Sequence, residues 1–119
     1  MHELAIADSI VVIARAHADG RRVRSVAVAT GALRQVVPGA LAFAFALLTE
    51  GTELEGAALE LRTVPATARC RACGVVSEQD SFPLACRACD GVDVEVTAGE
   101  ELLVEELEVE EEAEVSHVG

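Results

Sequence analysis

The sequence predicts an α+β fold: a small helix-flanked sheet domain into which a four-cysteine, zinc-ribbon-like module is inserted. Three observations carry this. Segments with the apolar spacing of a helix alternate with short segments of period two. All four cysteines fall in two identical tetrapeptides, Cys70-Arg-Ala-Cys73 and Cys86-Arg-Ala-Cys89, separated by twelve residues. An alternating apolar segment returns after Gly99 and is too apolar to stand alone, so it is expected to rejoin the first sheet.

A chain of 119 residues allows one ordinary domain, or a small domain carrying a smaller metal-stapled one. From Leu4 to Ala18 the period is helical. Leu4, Ala7, Val11, Ala14 and Ala18 mark one face, Ile6, Ile10 and Ile13 widen it, and Gly20 suits the stop. Val23 to Thr30 reads as a strand. Val26 and Val28 lie on one face and Ala27 and Ala29 on the other, as expected of a strand covered by helices. Pro38 fits the first turn of a second helix, with Leu41, Ala44, Phe45 and Leu48 as its buried stripe and Gly51 at its end. A second strand is expected over 57–64, closed by Pro65. The cysteine module then occupies 66–98, with Val92, Val94 and Val96 as a short exit strand. After Gly99 the apolar parity changes near Glu105, which points to a bulge. The resulting division is 1–65 plus 99–110 for the first domain and 66–98 for the module. Residues 111–119 are an acidic tail that buries nothing and is expected to be disordered.

The net charge is −12, and every basic residue is an arginine. Residues 99–119 hold nine Glu and no base. Such a balance argues against nucleic acid, whose phosphates need a basic surface. No apolar run approaches the roughly 20 residues that span a bilayer, so no membrane association is expected. Met1-His2-Glu3 lacks the features of a secretory signal, and the chain reads as cytoplasmic.

Two residues between paired cysteines let a tight knuckle aim both sulfurs at one point, and two knuckles close a tetrahedron. Soft thiolates in that geometry favour Zn(II). The alternatives are two disulfides, an iron–sulfur centre or a redox pair. No thiol is left over, which suits a closed structural site. With no open metal position and no Ser/His/Asp-like set or phosphate-cradling loop, an enzyme is not expected.

Of the three histidines, His17 reads as a half-buried helix residue and His117 as a bystander in the tail. His2 differs by position. Its imidazole, the backbone nitrogens of residues 2 and 3 and a nearby amine can form small chelate rings around one ion. Nitrogen-rich, flat coordination favours Ni(II) or Cu(II). Glu3 could add an oxygen ligand or orient the imidazole. A frayed, uninvolved terminus is the plainer alternative.

Read together, Met1-His2-Glu3-Leu4, Gly31-Ala32-Leu33, Pro38, Ala40-Leu41, Phe43-Ala44-Phe45, Gly51-Thr52, Glu55-Gly56-Ala57, Pro65, the paired CxxC motifs and Gly99-Glu100-Glu101-Leu102 closely resemble the HypA/HybF family. The family's members are nickel-incorporation accessory proteins for [NiFe] hydrogenase maturation. The resemblance runs from Met1 to about Val109. It implies a nickel metallochaperone, not an enzyme, with a nickel-binding α+β domain and an inserted structural zinc domain. It further implies Ni(II) held by His2, the Glu3 amide and the Met1 amine, with the Glu3 side chain implicated in some members. Cys70, Cys73, Cys86 and Cys89 become the Zn(II) ligands. The implied partners are a HypB-type GTPase and the hydrogenase large subunit, with urease maturation proteins for some members. Two departures stand out. Val37 occupies a position often acidic in the family, and the second knuckle has Arg87 and Asp90 in place of the frequent Cys-Pro-x-Cys-Gly. A zinc-ribbon adaptor without nickel transport is the rival reading.

Overall fold

A computed structural model describes residues 2–80 and 82–110. The expected tail, 111–119, and Met1 lie outside the described residues. Among the described residues two helices and six strands follow in the order α1 (His2–Ala18), β1 (Val23–Gly31), a 3-10 turn (Ala32–Arg34), α2 (Pro38–Thr49), β2 (Ala58–Val64), β3 (Ala66–Cys70), β4 (Val76–Gln79), β5 (Val94–Ala98) and β6 (Leu102–Val109). They form two three-stranded sheets, ordered β2-β1-β6 and β4-β3-β5. The last strand thus sits beside the first, as its apolar alternation requires.

The chain separates into two compact units. Of the described residues, one comprises 2–28, 37–61 and 104–110; the other comprises 29–36, 62–80 and 82–103. In the first unit α1 packs on α2, around a core of Ile10, Val23, Val26, Val28, Leu41, Phe45 and Leu54. Burying each such side chain contributes about 1.5–3 kcal/mol. The buried stripe of α1 is Glu3, Ile6, Ala7, Ile10, Val11, Ala14 and Ala18. Leu4 and Ile13, expected inside, are 56% and 39% exposed. The stripe is rotated because Glu3 occupies the inward position in the first turn. Asp19 and Gly20 both take left-handed φ (54° and 81°) and end the helix. His17 is exposed rather than half-buried, with Nδ1 3.0 Å from the Ile13 carbonyl oxygen.

In β6 the half-buried positions are Leu102 and Val104, then Leu107 and Val109, with Glu105 and Glu106 both exposed. The inward alternation therefore slips by one residue at the place where the parity changes. Glu110 still donates its N–H to the Arg22 carbonyl.

The second unit is built on an antiparallel sheet. β3 pairs with β4 from Ala66↔Gln79 to Arg69↔Val76 and with β5 from Thr67↔Ala98 to Cys70↔Val94, with an irregularity at Thr67/Ala68. Val92, expected in the exit strand, lies before it and is 76% exposed. Within this unit two backbone segments cross. Gly31 donates to the Glu101 carbonyl and Leu33 to the Gly99 carbonyl, both at 2.8 Å. A Cβ on Gly31 would overlap the Gly99 backbone, and one on Gly99 would lie 2.7 Å from Ala66 Cα. Gly31→Ala is accordingly expected to cost about 3 kcal/mol or more in urea denaturation. Gly39→Ala, on α2 with nothing within 4 Å of the new methyl, should be neutral or stabilising by up to about 1 kcal/mol.

Candidate metal centre

Each cysteine pair is presented by the same turn. In the first knuckle Cys70 donates its N–H to the Val75 carbonyl, and Gly74 donates to that of Cys70. In the second, Cys86 donates to Gly91 and Asp90 donates to Cys86. The residue after the second cysteine must take positive φ: Gly74 at 81° and Asp90 at 63°. Asp tolerates that region better than most residues, which is how the second knuckle keeps its turn without the glycine expected there. Gly91 then fills a tight place, where a Cβ would lie 3.3 Å from Cys89 Sγ.

The knuckles aim all four sulfurs at one point, with every Sγ within 4.8 Å of every other. Across the site Cys70 and Cys89 are 3.7 Å apart and Cys73 and Cys86 are 3.5 Å apart. Zn–S bonds of about 2.3 Å would give a tetrahedron with edges of about 3.8 Å, so the donor set fits a divalent, thiolate-preferring ion. Cys70 and Cys86 are buried; Cys73 and Cys89 are exposed.

The protonation pattern follows the turn. Cys86 Sγ accepts from the N–H groups of Cys89 (3.4 Å) and Ala88 (3.3 Å), which lower its pKa to about 7. The N–H of Cys73 lowers that of Cys70 in the same way. Against the N–H of Gly91, the neighbouring sulfurs push Cys89 up to about 12. Cys73 is raised as well, against the N–H of Val75, by the Cys86 thiol and by burial. Four thiolates this close need a cation to share their charge.

A second cluster lies at the start of α1 in the first unit. Glu3 Oε2 accepts the N–H of Val37 at 2.9 Å and lies 3.7 Å from His2 Nε2. Val37 is the N-cap of α2 and its side chain provides no cap. Ala40, at the third helical position, has no acceptor for the Val37 N–H, and Glu3 supplies from another helix what a capping box would supply from within. Its carboxyl is held at about pKa 2, first by the Val37 N–H, with the His2 charge adding to the effect. Two helix N-termini with their positive dipole ends meet at this carboxylate. His2 is half-exposed beside it. Met1, named as an amine ligand, lies outside the described residues.

Sequence reasoning missed Gln79. Its buried amide donates to the Ala85 carbonyl (2.9 Å) and to Ser77 Oγ (3.2 Å), and accepts from the Ala85 N–H (3.1 Å). The only sequence sign is a polar residue at an inward-facing strand position.

These features define a two-unit α+β protein with a four-cysteine centre suited to a metal. A family model described as "Hydrogenase/urease nickel incorporation, metallochaperone, hypA" matches residues 1–109, and the chain belongs to this HypA family. It is 44% identical to the hydrogenase maturation factor HypA of Geotalea uraniireducens, covering 92% of this chain and 100% of that one. It is 40% identical to its namesake from Nostoc sp., covering 93% and 97%. The solution structure of the Ni metallochaperone HypA from Helicobacter pylori has the same fold. Its TM-score is 0.66 at 22% identity, covering 92% of this chain and 97% of that one. Among the described residues no helix is long and apolar enough to cross a membrane.

Two tests follow. Asp90→Gly removes a side chain from left-handed backbone and should stabilise the metal-loaded protein by about 0.5–1 kcal/mol, read as a higher urea midpoint at unchanged slope. Glu3 has a folded pKa below its unfolded value, so its contribution is complete above about pH 4.5 and is lost as pH falls through about 2. Glu3→Gln should therefore lower the melting temperature at pH 7, and the gap from the parent should close towards pH 2.

Proposed function

We propose that the protein is a nickel metallochaperone for [NiFe] hydrogenase maturation that takes up Ni(II) at its N-terminus. It passes the ion, with a HypB-type GTPase, to the hydrogenase large subunit in the cytoplasm; service to urease is the same chemistry with another recipient. Nickel is cargo here. The observation that carries the reading is the family match over residues 1–109, which takes in the Met-His-Glu start and both cysteine pairs.

In this reading residues 1–65 with 99–110 bind nickel, and 66–98 bind zinc. His2 offers its imidazole, the His2 and Glu3 amides offer nitrogen, and the Met1 amine closes the chelate. Amides in the first turn of a helix have no intrahelical acceptor, so metal can replace their protons without breaking a helical bond. The carboxylate of Glu3, already accepting the Val37 N–H, orients the His2 end of the site and balances charge. Val37 brings no oxygen, so the remaining nickel positions fall to water or to the receiving protein. Zn(II) on Cys70, Cys73, Cys86 and Cys89 supplies the cross-link that holds 66–98 folded.

Calorimetry on protein with a native, untagged N-terminus tests this. One Ni(II) per chain, at micromolar affinity or tighter, is expected with one zinc in the same sample. His2→Ala should lose the nickel and keep the zinc, and nickel affinity should fall as pH drops below neutral because binding displaces protons. Stoichiometric nickel in His2→Ala with zinc in place would end the N-terminal assignment.

A further inference from the structure

The two knuckles are held by different means. The first is the turn of a hairpin. Cys70 ends β3, Val76 begins β4, and the ladder from Ala66↔Gln79 to Arg69↔Val76 fixes its sulfurs. The second, Cys86 to Gly91, lies between β4 and β5 and belongs to no strand. Contacts outside any strand ladder have to place it against the first.

Three ties do so, and they cross. Arg87, in the second knuckle, donates its N–H to Ser77 Oγ (3.5 Å) on β4, and its guanidinium pairs with Asp80 at 3.3 Å. Arg71, at the equivalent place in the first knuckle, donates its N–H to the Asp93 carbonyl (2.9 Å) and its Nη1 to Asp93 Oδ1 (2.8 Å) beyond the second. Both arginine–aspartate pairs are solvent-exposed, and exposed pairs contribute little. The third tie is the Gln79 amide. It is 6% exposed and pairs with both the N–H and the C=O of Ala85, the residue before Cys86. A single side chain thus does for Ala85 what a neighbouring strand does in a ladder. Losing it would take the protein partner from both backbone groups of the half-buried Ala85, a costlier loss than that of an exposed pair.

We infer that Gln79 is a positioning residue for the metal centre: by pairing with Ala85 it sets the second knuckle against the first and so governs how long zinc is retained. The inference rests on the reading that the four thiolates hold zinc. It concerns retention rather than ligation, since Gln79 contributes no donor atom to the ion.

Zinc release into excess chromogenic chelator at neutral pH, with total zinc measured in each sample, tests it. Gln79→Leu keeps the volume and removes all three hydrogen bonds; release at least tenfold faster than the parent is expected. Gln79→Glu keeps an acceptor for the Ala85 N–H but sets a carboxylate against the Ala85 carbonyl, and should fall between. Thr67→Val is the control. It breaks the 2.7 Å contact between Thr67 Oγ1 and Thr97 Oγ1 in the same sheet, touches neither knuckle, and should release zinc at the parental rate. Parental release from Gln79→Glu, or from a folded Gln79→Leu, overturns the inference, as does equal acceleration in Thr67→Val. A parent protein that binds no zinc would remove the zinc reading and this inference with it. A zinc-loaded parent with equal rates throughout removes the inference alone.

Discussion

Four cysteine sulfurs converge within 4.8 Å of one another, and thiolates at that separation repel strongly unless a cation lies among them. The second unit depends on how this is resolved. Its fully buried apolar side chains are small, chiefly Ala66 and Ala68 beside Cys70 and Cys86, so little transfer energy is available to hold its turns. The amides folded over Cys70 and Cys86 begin the work by favouring ionisation there. Cys73 and Cys89 stay reluctant without an ion. A metal bound among these sulfurs would couple its binding to the folding of this unit. Side chains that shape the knuckles would then act on both at once.

The first unit solves its stability problem conventionally, and here the sequence was most legible. Apolar spacing located α1, α2 and the two strands flanking β1 within a residue or two. The spacing of the cysteines located the centre, because the turn that aims two sulfurs at a point is local and nearly context-free. What was not legible was tertiary. Glu3 interrupts an apolar stripe, and nothing in the sequence says that the N–H of Val37, thirty-four positions away, awaits it. Apolar spacing counted from Leu4 places Leu4 and Ile13 inside, whereas the buried stripe begins at Glu3. β3 is hard to see in the sequence because its alternation is carried by Ala66, Ala68 and Cys70, residues too small to register beside the valines of β1. Gln79 was invisible for the same reason as Glu3: a buried polar residue is recognisable only by its partner.

Both departures from the family pattern in the sequence have physical answers. Asp90 adopts the left-handed backbone that glycine would otherwise supply, with Gly91 displaced one position to clear Cys89. The thiolate geometry survives at the cost of some backbone strain. Val37 offers α2 no side-chain cap, while its backbone N–H is accepted by Glu3.

That substitution bears on the proposed nickel site. Two helix N-termini bring partial positive charge to the region of Glu3, an unfavourable setting for a dication. One carboxylate, already engaged by an N–H, offsets part of this. The rest has to come from the ligands, and deprotonated backbone amides are the source at hand in the first turn of α1. A site assembled that way gains its negative charge only as metal enters and loses it when protons return. Retention is then conditional on local proton activity and on whatever competes for the ion. The four-cysteine centre contrasts with it: two knuckles present all four sulfurs at one point and part-buried hydrogen bonds tie them. On the proposed reading one centre would keep its metal and the other give it up, and the difference would lie in how much of each ligand set exists before the ion arrives.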